Sequence, residues 1–208
     1  MSENWRGDPK STKQKDLWRI LKLANATKND VFCDLGCGYG NLCRWAIQKV
    51  NSAIGTEDHK KRFRKALRNT CRFKNIKILN EDYRYEKILR KLKKGTIFYC
   101  TNAESLGFHY KLQKAIHHKA YFVTYTPPPY PIKPEKYDGL YYLVRIPFEF
   151  AKSQYEWKNK IAKRGSMNEY KRRFMKEFAD DHEEYKERLL MLNEEIIGIH
   201  WVVKRKLA

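Results

Sequence analysis

The sequence predicts an α/β protein built on a parallel sheet, and three features of the chain support this. The apolar run Val31–Cys33 is typical of a buried strand, and it ends in an acid, Asp34. Glycines then follow at every second position, before a helical pattern. Further apolar runs alternate with helical segments along the chain, as in folds made of βαβ units. A strand, a glycine turn and a helix together hold a nucleotide-like ligand at the carboxyl end of a strand.

The glycine turn contains Gly36, Gly38 and Gly40, and Asn41–Val50 follows as a helix. Glycine adopts positive φ without strain and lets a ligand approach the backbone, and a helix N-terminus offers free N–H groups to an anion. The third glycine comes one residue too early for the dinucleotide pattern G-x-G-x-x-G, which disfavours a dinucleotide ligand. The alternative interpretation is an ordinary tight turn between a strand and a helix.

The motif Asp-Leu-Gly-Cys-Gly-x-Gly of residues 34–40 resembles the first motif of Rossmann-like (class I) methyltransferases that use S-adenosylmethionine (SAM). The resemblance implies an α/β fold with a seven-stranded Rossmann-like sheet and helices on both faces. It also implies an enzyme with SAM as its cofactor and no catalytic metal. Within this motif, the residues implied to bind SAM are Asp34, Gly36, Cys37, Gly38, Gly40 and Asn41.

The N-terminal region, residues 1–27, is predicted to be a polar arm followed by a helix. Ser11 to Gln14 has the form of a capping box, and apolar residues from Leu17 to Ala24 recur at helical spacing. Helix capping is therefore the preferred role of Ser11 and Thr12. The arm also loosely resembles the entry of a methyltransferase subgroup in which a Pro-Thr segment folds over the methionine end of SAM. That resemblance adds Thr12 to the cofactor-binding residues.

The second and third strands are predicted at 53–57 and 75–79, and both lead into acids. Glu57 lies about twenty residues beyond the glycine turn, where an acid accepts hydrogen bonds from ribose hydroxyls. Asp58 follows, at the position where the family usually has an apolar residue against the adenine, and it is included among the predicted cofactor-binding residues. By the same resemblance, Asp82 would meet the adenine amino group and Tyr83 would cover the ring. Glu81 is the alternative contact, and a simple turn acid is the alternative interpretation of Asp82.

The segment from His59 to Lys94 is strongly basic, with 15 Lys and Arg against 3 Asp and Glu. Its two predicted helices flank the second and third strands. Such a density of positive charge favours contacts with phosphates, which supply affinity and salt dependence but no sequence reading. A solvated charged face is the alternative.

The fourth and fifth strands are predicted at 95–100 and 120–125, and the resemblance implies a methyl acceptor site at the end of the fourth. The Asn-Pro-Pro-Tyr sequence that signals methylation of a base amino group is absent there. The proline-rich segment 126–131 instead leaves the fifth strand and is predicted to form an extended wall. The proposed catalytic residues are Tyr99, Glu104, Tyr125 and Tyr130, and Cys100 is added to the cofactor-binding residues.

A sixth strand is predicted at 139–148 and a last one at 196–203. The sixth strand of this fold is parallel, so the chain after it is expected to emerge on the cofactor side of the sheet. Residues 150–195 carry helical apolar spacing and are therefore predicted to be a helical insertion that caps the substrate side. The whole chain, residues 1–208, is predicted to be one domain.

Composition limits the class of protein and of partner. The 208 residues carry a net charge of +20, which favours an acidic or nucleic-acid-bound partner, although solubility alone is an alternative. The five cysteines form no C-x-x-C pair, so we expect reduced thiols and no zinc. No apolar run reaches membrane length, and the start of the chain does not resemble a signal peptide. These features predict a cytoplasmic protein.

The overall resemblance is to archaeal broad-specificity protein lysine methyltransferases of the seven-strand fold, and it covers residues 9–148 and the final strand. A lysine must react as the neutral amine, and its ordinary pKa is about 10.4. A desolvated aromatic channel built from the proposed tyrosines would lower that pKa. Protein lysine is therefore the preferred acceptor, and rRNA or tRNA is the alternative. A SAM-binding module without catalysis is the third hypothesis.

Overall fold

The structure is a computed structural model that describes residues 12–101, 105–154, 156 and 157. All of these belong to the first of two units into which the chain divides, residues 1–164 and 165–208. The predicted last strand, Glu104 and most of the predicted insertion lie outside the described residues. The single-domain assignment and the capping role of 150–195 remain predictions.

Helices and strands alternate along the first part of the chain, as the sequence predicts. The helices are α1 (Gln14–Leu23), α2 (Asn41–Ala46), α3 (Lys60–Thr70), α4 (Glu86–Lys91) and α5 (Leu106–Ala115). The strands are β1 (Val31–Leu35), β2 (Ser52–Thr56), β3 (Ile76–Leu79), β4 (Ile97–Cys100), β5 (Ala120–Thr124), β6 (Lys136–Tyr137) and β7 (Tyr142–Ile146).

The described strands form one seven-stranded sheet in the order β3-β2-β1-β4-β5-β7-β6. Strands β1 to β5 are parallel to one another, so their carboxyl ends share one edge of the sheet. The order reverses between β1 and β4, which is the place where open α/β sheets bind ligands. The register pairs Asp34 with Gly55 on one side and with Tyr99 on the other. The predicted seven-stranded α/β sheet is confirmed.

The prediction that the sixth strand is parallel to the others was wrong. Strand β7, which lies within the predicted 139–148 strand, runs antiparallel to β5, with Ile146 opposite Ala120. The chain therefore leaves β7 at the amino ends of the parallel strands, away from the glycine turn. The short strand β6 precedes β7 and pairs with it, so a tight hairpin occupies this edge of the sheet. The topological reason for placing 150–195 over the cofactor side is thus lost.

Two apolar cores cover the two faces of the sheet. One contains the buried side chains of α1, α2 and α3, including Leu17, Leu42 and Ala66. The other contains those of α4 and α5, including Leu89 and Leu112. Alternate strand residues supply each core, as expected for a sheet buried on both faces. Packing in these two cores holds the strands whose carboxyl ends carry the candidate site.

Candidate active site

The glycine turn between β1 and α2 is held against the end of β2. Gly36, Gly38 and Gly40 all have positive φ, at +86°, +55° and +76°. The amides of Gly36 and Cys37 both donate to the carbonyl oxygen of Thr56, at 3.1 and 2.7 Å. The turn therefore wraps closely over the carboxyl ends of β1 and β2.

Gly40 has a packing reason in addition to its backbone conformation. A Cβ atom on Gly40 would lie 3.1 Å from Cγ2 of Thr70 and 3.4 Å from Cβ of Ala66, both on α3. The third glycine of the motif therefore allows α2 and α3 to approach. It stands at the N-cap of α2 in the left-handed conformation, directly before Asn41, which begins the helix and is partly buried.

The side chain of Cys37 lies inside the protein. A Cβ atom on Gly55 would come within 2.7 Å of the Cys37 sulfur, so the thiol packs tightly over β2. Cys37 belongs to the core of the α1, α2 and α3 face. The structure thus gives its side chain a packing role, while its amide joins the turn to Thr56.

Glu57 is buried directly beneath the turn and is hydrogen-bonded at both carboxylate oxygens. Oε2 accepts the amide of Gly38 at 3.0 Å, and Oε1 accepts the amide of His59 at 3.0 Å. Burial raises the pKa of Glu57, while the His59 amide and the Arg62 guanidinium oppose that rise. Each carboxylate oxygen has a second lone pair, so both remain able to accept a further hydrogen bond.

Asn80 contributes to this region and was missed by the sequence analysis. Its side-chain amide donates to the carbonyl oxygen of Glu57 at 2.8 Å and to that of Asp58 at 3.3 Å. The contact ties the residue after β3 to the residues after β2. The only signal in the sequence was an asparagine directly after a strand, a position that turn formation explains equally well.

Asp58 and Asp82 lie on the rim and share one cation. Arg84 donates from Nη2 to Asp82 at 2.7 Å and lies 3.9 Å from Asp58. Asp82 also accepts the backbone amide of Arg84 at 2.9 Å, which closes a local turn. Glu81, the alternative contact, pairs instead with Lys91 at 2.7 Å. The structure brings Asp58 and Asp82 together through Arg84.

Tyr83 lies between the glycine turn and β4. Its hydroxyl is 3.4 Å from the sulfur of Cys100, and its ring packs edge-on against Phe108 at 5.6 Å. A Cβ atom on Gly36 would lie 3.8 Å from the ring of Tyr83. The predicted residues Gly36, Tyr83 and Cys100 are therefore neighbours, on the face of the sheet that carries α4 and α5.

Asp34 is buried at the end of β1, and within the described part of the chain its Oδ2 atom has no hydrogen-bond partner. Burial raises the pKa of Asp34 to about 7, and the nearby charge of Glu57 adds to that rise. An unsatisfied buried carboxylate oxygen costs stability, so such atoms require an explanation. A cationic ligand at the strand end supplies one.

Thr12 reaches the site, and the prediction that it caps α1 was wrong. The N-cap of α1 is Lys13, which makes no side-chain capping bond. The hydroxyl of Thr12 instead lies 2.9 Å from the hydroxyl of Tyr99, at the end of β4. Helix α1 thus starts beside the carboxyl edge of the sheet because a long-range hydrogen bond, rather than a local cap, holds it there.

The three predicted tyrosines do not form one group. Tyr99 is buried, and burial raises its pKa to about 12. Tyr125 lies two ring contacts away from it, through Tyr141, which the sequence analysis missed. The ring contact of Tyr130 is with Trp157, at 6.1 Å. Tyr130 is also two residues from Ile132, which forms an isolated bridge with Phe150 beyond the end of β7. Tyr130 therefore lies toward the amino ends of the parallel strands, not toward their carboxyl ends.

Comparison with known proteins supports this fold. No family model matches the chain. A protein-lysine N-methyltransferase from Saccharolobus islandicus (strain REY15A) is 37% identical over 60 residues, which span 28% of this chain and 37% of that protein. The solved structure of an RNA methyltransferase from Salinibacter ruber, in complex with S-adenosyl-L-homocysteine, superposes with a TM-score of 0.55 at 19% identity. The match covers 69% of this chain and 97% of that one. The chain has the class I methyltransferase fold.

The residues at the carboxyl edge of this methyltransferase fold suit SAM. The glycine turn leaves backbone close to the strand ends, and Glu57 can accept further hydrogen bonds. The Oδ2 atom of Asp34 has no partner among the residues that the structure describes. SAM carries a cationic sulfonium and an amino group, which match a buried acid, and ribose hydroxyls, which match Glu57. Among the described residues, no cluster of His, Cys, Asp and Glu would hold a metal ion.

The two basic helices of the methyltransferase fold lie on opposite faces of its sheet. Helix α3 packs into the core with α1 and α2, whereas α4 packs with α5. The α3 basic face, defined as Lys61, Arg64, Lys65 and Arg68, has no acid on its own helix. On α4, by contrast, Arg90 pairs with Glu86 at 2.7 Å. Helix α3 therefore carries six basic residues and no acid, whereas α4 carries three basic residues and one acid.

The described part of the chain contains no helix with both the length and the apolar character needed to span a bilayer.

Proposed function

We propose that this protein is a SAM-dependent methyltransferase whose acceptor is the side-chain amine of a protein lysine. The observation that carries the proposal is the arrangement around the glycine turn. A turn with three positive-φ glycines lies next to two buried acids, Glu57 after β2 and Asp34 at the end of β1. Oδ2 of Asp34 has no hydrogen-bond partner among the described residues, and the strand order reverses beside it. Each of these features suits a different part of SAM.

The residues divide the work of holding SAM. Glu57 would accept hydrogen bonds from the ribose hydroxyls, and Asp34 would meet the cationic methionine end. Tyr83 would cover the adenine from its position over Gly36, and Asp82 would contact the adenine amino group at the rim. When bound, SAM supplies an activated methyl group. The protein then has only to align the nucleophile and exclude water.

A protein lysine as acceptor is supported by the aromatic surroundings of β4 and β5. Tyr99 and Tyr125 lie at the ends of these strands, and a desolvated aromatic environment favours the neutral amine that must react. The similar protein from Saccharolobus islandicus is named a protein-lysine N-methyltransferase. The aligned 60 residues span about a third of that relative, so its activity comes to this chain only as a proposal.

An RNA acceptor is the second candidate, and the α3 basic face is the observation that favours it. These four residues recur at helical spacing on one side of α3, and Arg64, Lys65 and Arg68 are exposed. Such a face suits phosphates, which would bring rRNA or tRNA to the enzyme. The Salinibacter ruber structure is that of an RNA methyltransferase, although its likeness concerns the fold alone.

One labelling experiment separates the candidates. The protein is incubated with SAM tritiated on its methyl group and with cell extract, and the products are then treated with protease or with nuclease. Label released by protease alone supports a protein acceptor, and acid hydrolysis to methyllysine identifies the residue. Label released by nuclease alone establishes the RNA alternative. Calorimetry in parallel tests SAM binding itself, and absent binding would contradict the entire proposal.

A further inference from the structure

Three tyrosine rings form a row from the surface of the protein toward Asp34. Tyr125 is partly exposed and packs edge-on against Tyr141, with ring centroids 5.9 Å apart. Tyr141 packs edge-on against Tyr99 at 6.2 Å. Tyr99 is the β4 partner of Asp34 in the sheet register. The row therefore links the exterior to the acid that faces the proposed methionine end of SAM.

The inner part of this row is fixed by ring packing and by one hydrogen bond. The ring of Tyr99 packs edge-on against that of Tyr141, and the Tyr99 hydroxyl lies 2.9 Å from that of Thr12. Burial raises the pKa of both tyrosines well above their ordinary value, so their hydroxyls stay protonated at neutral pH. They are therefore neutral groups that both donate and accept hydrogen bonds. Such groups orient an uncharged amine without adding a charge beside it.

Tyr141 belongs to the turn between β6 and β7, and the side chain of Asp138 closes this turn. Oδ1 of Asp138 accepts the backbone amides of Leu140 at 2.9 Å and of Tyr141 at 2.8 Å. Gly139, between Asp138 and Leu140, has a φ of +91°. The backbone of Tyr141 is thus fixed directly by the Asp138 carboxylate.

The same carboxylate is anchored to α1. Arg19 donates from Nε to Oδ2 of Asp138 at 3.0 Å and from Nη2 to its carbonyl oxygen at 3.1 Å. Both oxygens of Asp138 are therefore in use, one toward α1 and one toward the Tyr141 backbone. Thr12, just before α1, contacts Tyr99, and Arg19 within α1 holds Tyr141 indirectly through Asp138.

On the basis of the proposed function, we infer that Tyr141 contacts the incoming lysine side chain and that the Arg19–Asp138 pair positions it. Tyr141 and Tyr99 are buried and Tyr125 is partly exposed, so the four-carbon stem of a lysine would enter at Tyr125 and run along the edges of the rings. Its amine would reach the level of the Tyr141 and Tyr99 hydroxyls, next to Asp34. Tyr141 is then a specificity-determining residue, and Arg19 and Asp138 are positioning residues.

The test uses the full chain and a purified lysine-containing protein that the wild type labels. Tyr141→Phe keeps the ring and removes the hydroxyl, whereas Arg19→Ala removes the anchor of the turn. For each variant, we expect the KM for the acceptor protein to rise about fivefold or more, the effect of one lost hydrogen bond. The dissociation constant for SAM should stay within about twofold. Arg19→Lys should recover part of the loss, because it restores one charged donor to Asp138.

The matched control is Lys133→Ala. This change removes the ion pair between Nζ of Lys133 and Oε1 of Glu156, which are 2.9 Å apart. Its acceptor KM should equal that of the wild type. If Arg19→Ala unfolds, Tyr141→Phe and Arg19→Lys still decide the question, since both conserve packing. Unchanged acceptor KM in these variants, or a loss of SAM affinity parallel to the KM effect, overturns the inference. Wild-type protein that labels no protein at all overturns the proposed acceptor, and this inference with it.

Discussion

The backbone amide of Gly38 donates a hydrogen bond to Oε2 of Glu57 at 3.0 Å. The middle glycine of the turn after β1 is thereby tied to the acid that follows β2. Because the other oxygen of Glu57 holds the amide of His59, this carboxylate fixes the backbone on both sides of the proposed ribose position. Glu57 therefore has a structural role in addition to its proposed role in binding SAM.

Replacing Glu57 with alanine should weaken SAM binding and also destabilise the protein. We expect SAM affinity to fall by about 1.5–3 kcal/mol, the scale of hydrogen bonds to a charged group. The free energy of unfolding should fall as well, because the Gly38 and His59 amides lose their buried acceptor. Isothermal titration calorimetry measures the first effect and chemical denaturation the second.

Glu57→Gln is the control for the two roles. It keeps one oxygen acceptor and the shape of the side chain, so it should be closer to the wild type in stability than Glu57→Ala. An unchanged SAM dissociation constant in both variants would show that Glu57 serves the turn alone.

The strand ends were predictable because their signals are local. Val31–Asp34 and the three glycines are contiguous, and the acid of β2 follows at a regular interval, so one βαβ unit defines most of the cofactor region. Strand direction is different. The apolar run of β7 carries no information on direction, so its sequence did not show that the strand is antiparallel.

Long-range contacts account for the other differences. Thr12 lies in a local capping pattern, yet its hydrogen bond is with Tyr99, 87 residues away. Tyr141 follows a turn that resembles any Asp-Gly turn until Arg19 is placed beside it. The basic helices α3 and α4 look alike in sequence, and only the two cores assign them to opposite faces.

Gly40→Ala should destabilise the protein by about 1–2 kcal/mol, because it places a Cβ atom at positive φ. That atom would also lie only 3.1 Å from Cγ2 of Thr70. The matched control is Gly107→Ala in α5, where the nearest atom to the new Cβ would be the Ser105 hydroxyl at 3.8 Å. Alanine in a helix is favoured over glycine by about 0.5–1 kcal/mol, so this control should be neutral or stabilising. Thermal unfolding compares the two, and equal stability would contradict the packing role of Gly40.

SAM affinity should increase as pH rises through about 7, the pKa of Asp34 in the folded protein. The folded pKa lies above the ordinary value of 3.8, so Asp34 is substantially protonated near neutral pH. A cationic ligand favours the ionised form and must displace that proton. Between pH 6 and pH 8 the dissociation constant should therefore fall by about tenfold.

Calorimetry across this range, repeated with Asp34→Asn, checks the assignment. The variant should bind SAM more weakly and lose the tenfold change. The stability of the unliganded wild type should show the opposite trend, decreasing between about pH 4 and pH 7. The sign follows because the folded state binds more protons than the unfolded state in that window. A pH dependence that persists in Asp34→Asn would assign it to another group.

Reversing the α3 basic face to glutamate should reduce binding to nucleic acid while leaving SAM binding nearly intact. The four side chains Lys61, Arg64, Lys65 and Arg68 belong to α3, which lies against the sheet through Ala66 and Thr70. If they contact phosphates, the wild type should bind RNA with little sequence preference and lose affinity steeply with salt. For a single strand, removing four such contacts should lower the slope of log affinity against log salt by about 3.

A reversal on α4, at Lys87, Arg90 and Lys91, serves as the comparison on the other face of the sheet. It should have the smaller effect, because Glu86 and Glu81 already pair with two of these residues. Methyl transfer then separates the two acceptor classes. An enzyme acting on RNA would lose turnover in the α3 variant, whereas one acting on a free protein would retain most of it. RNA binding that is absent even at low salt would show that the α3 basic face is solvated charge alone.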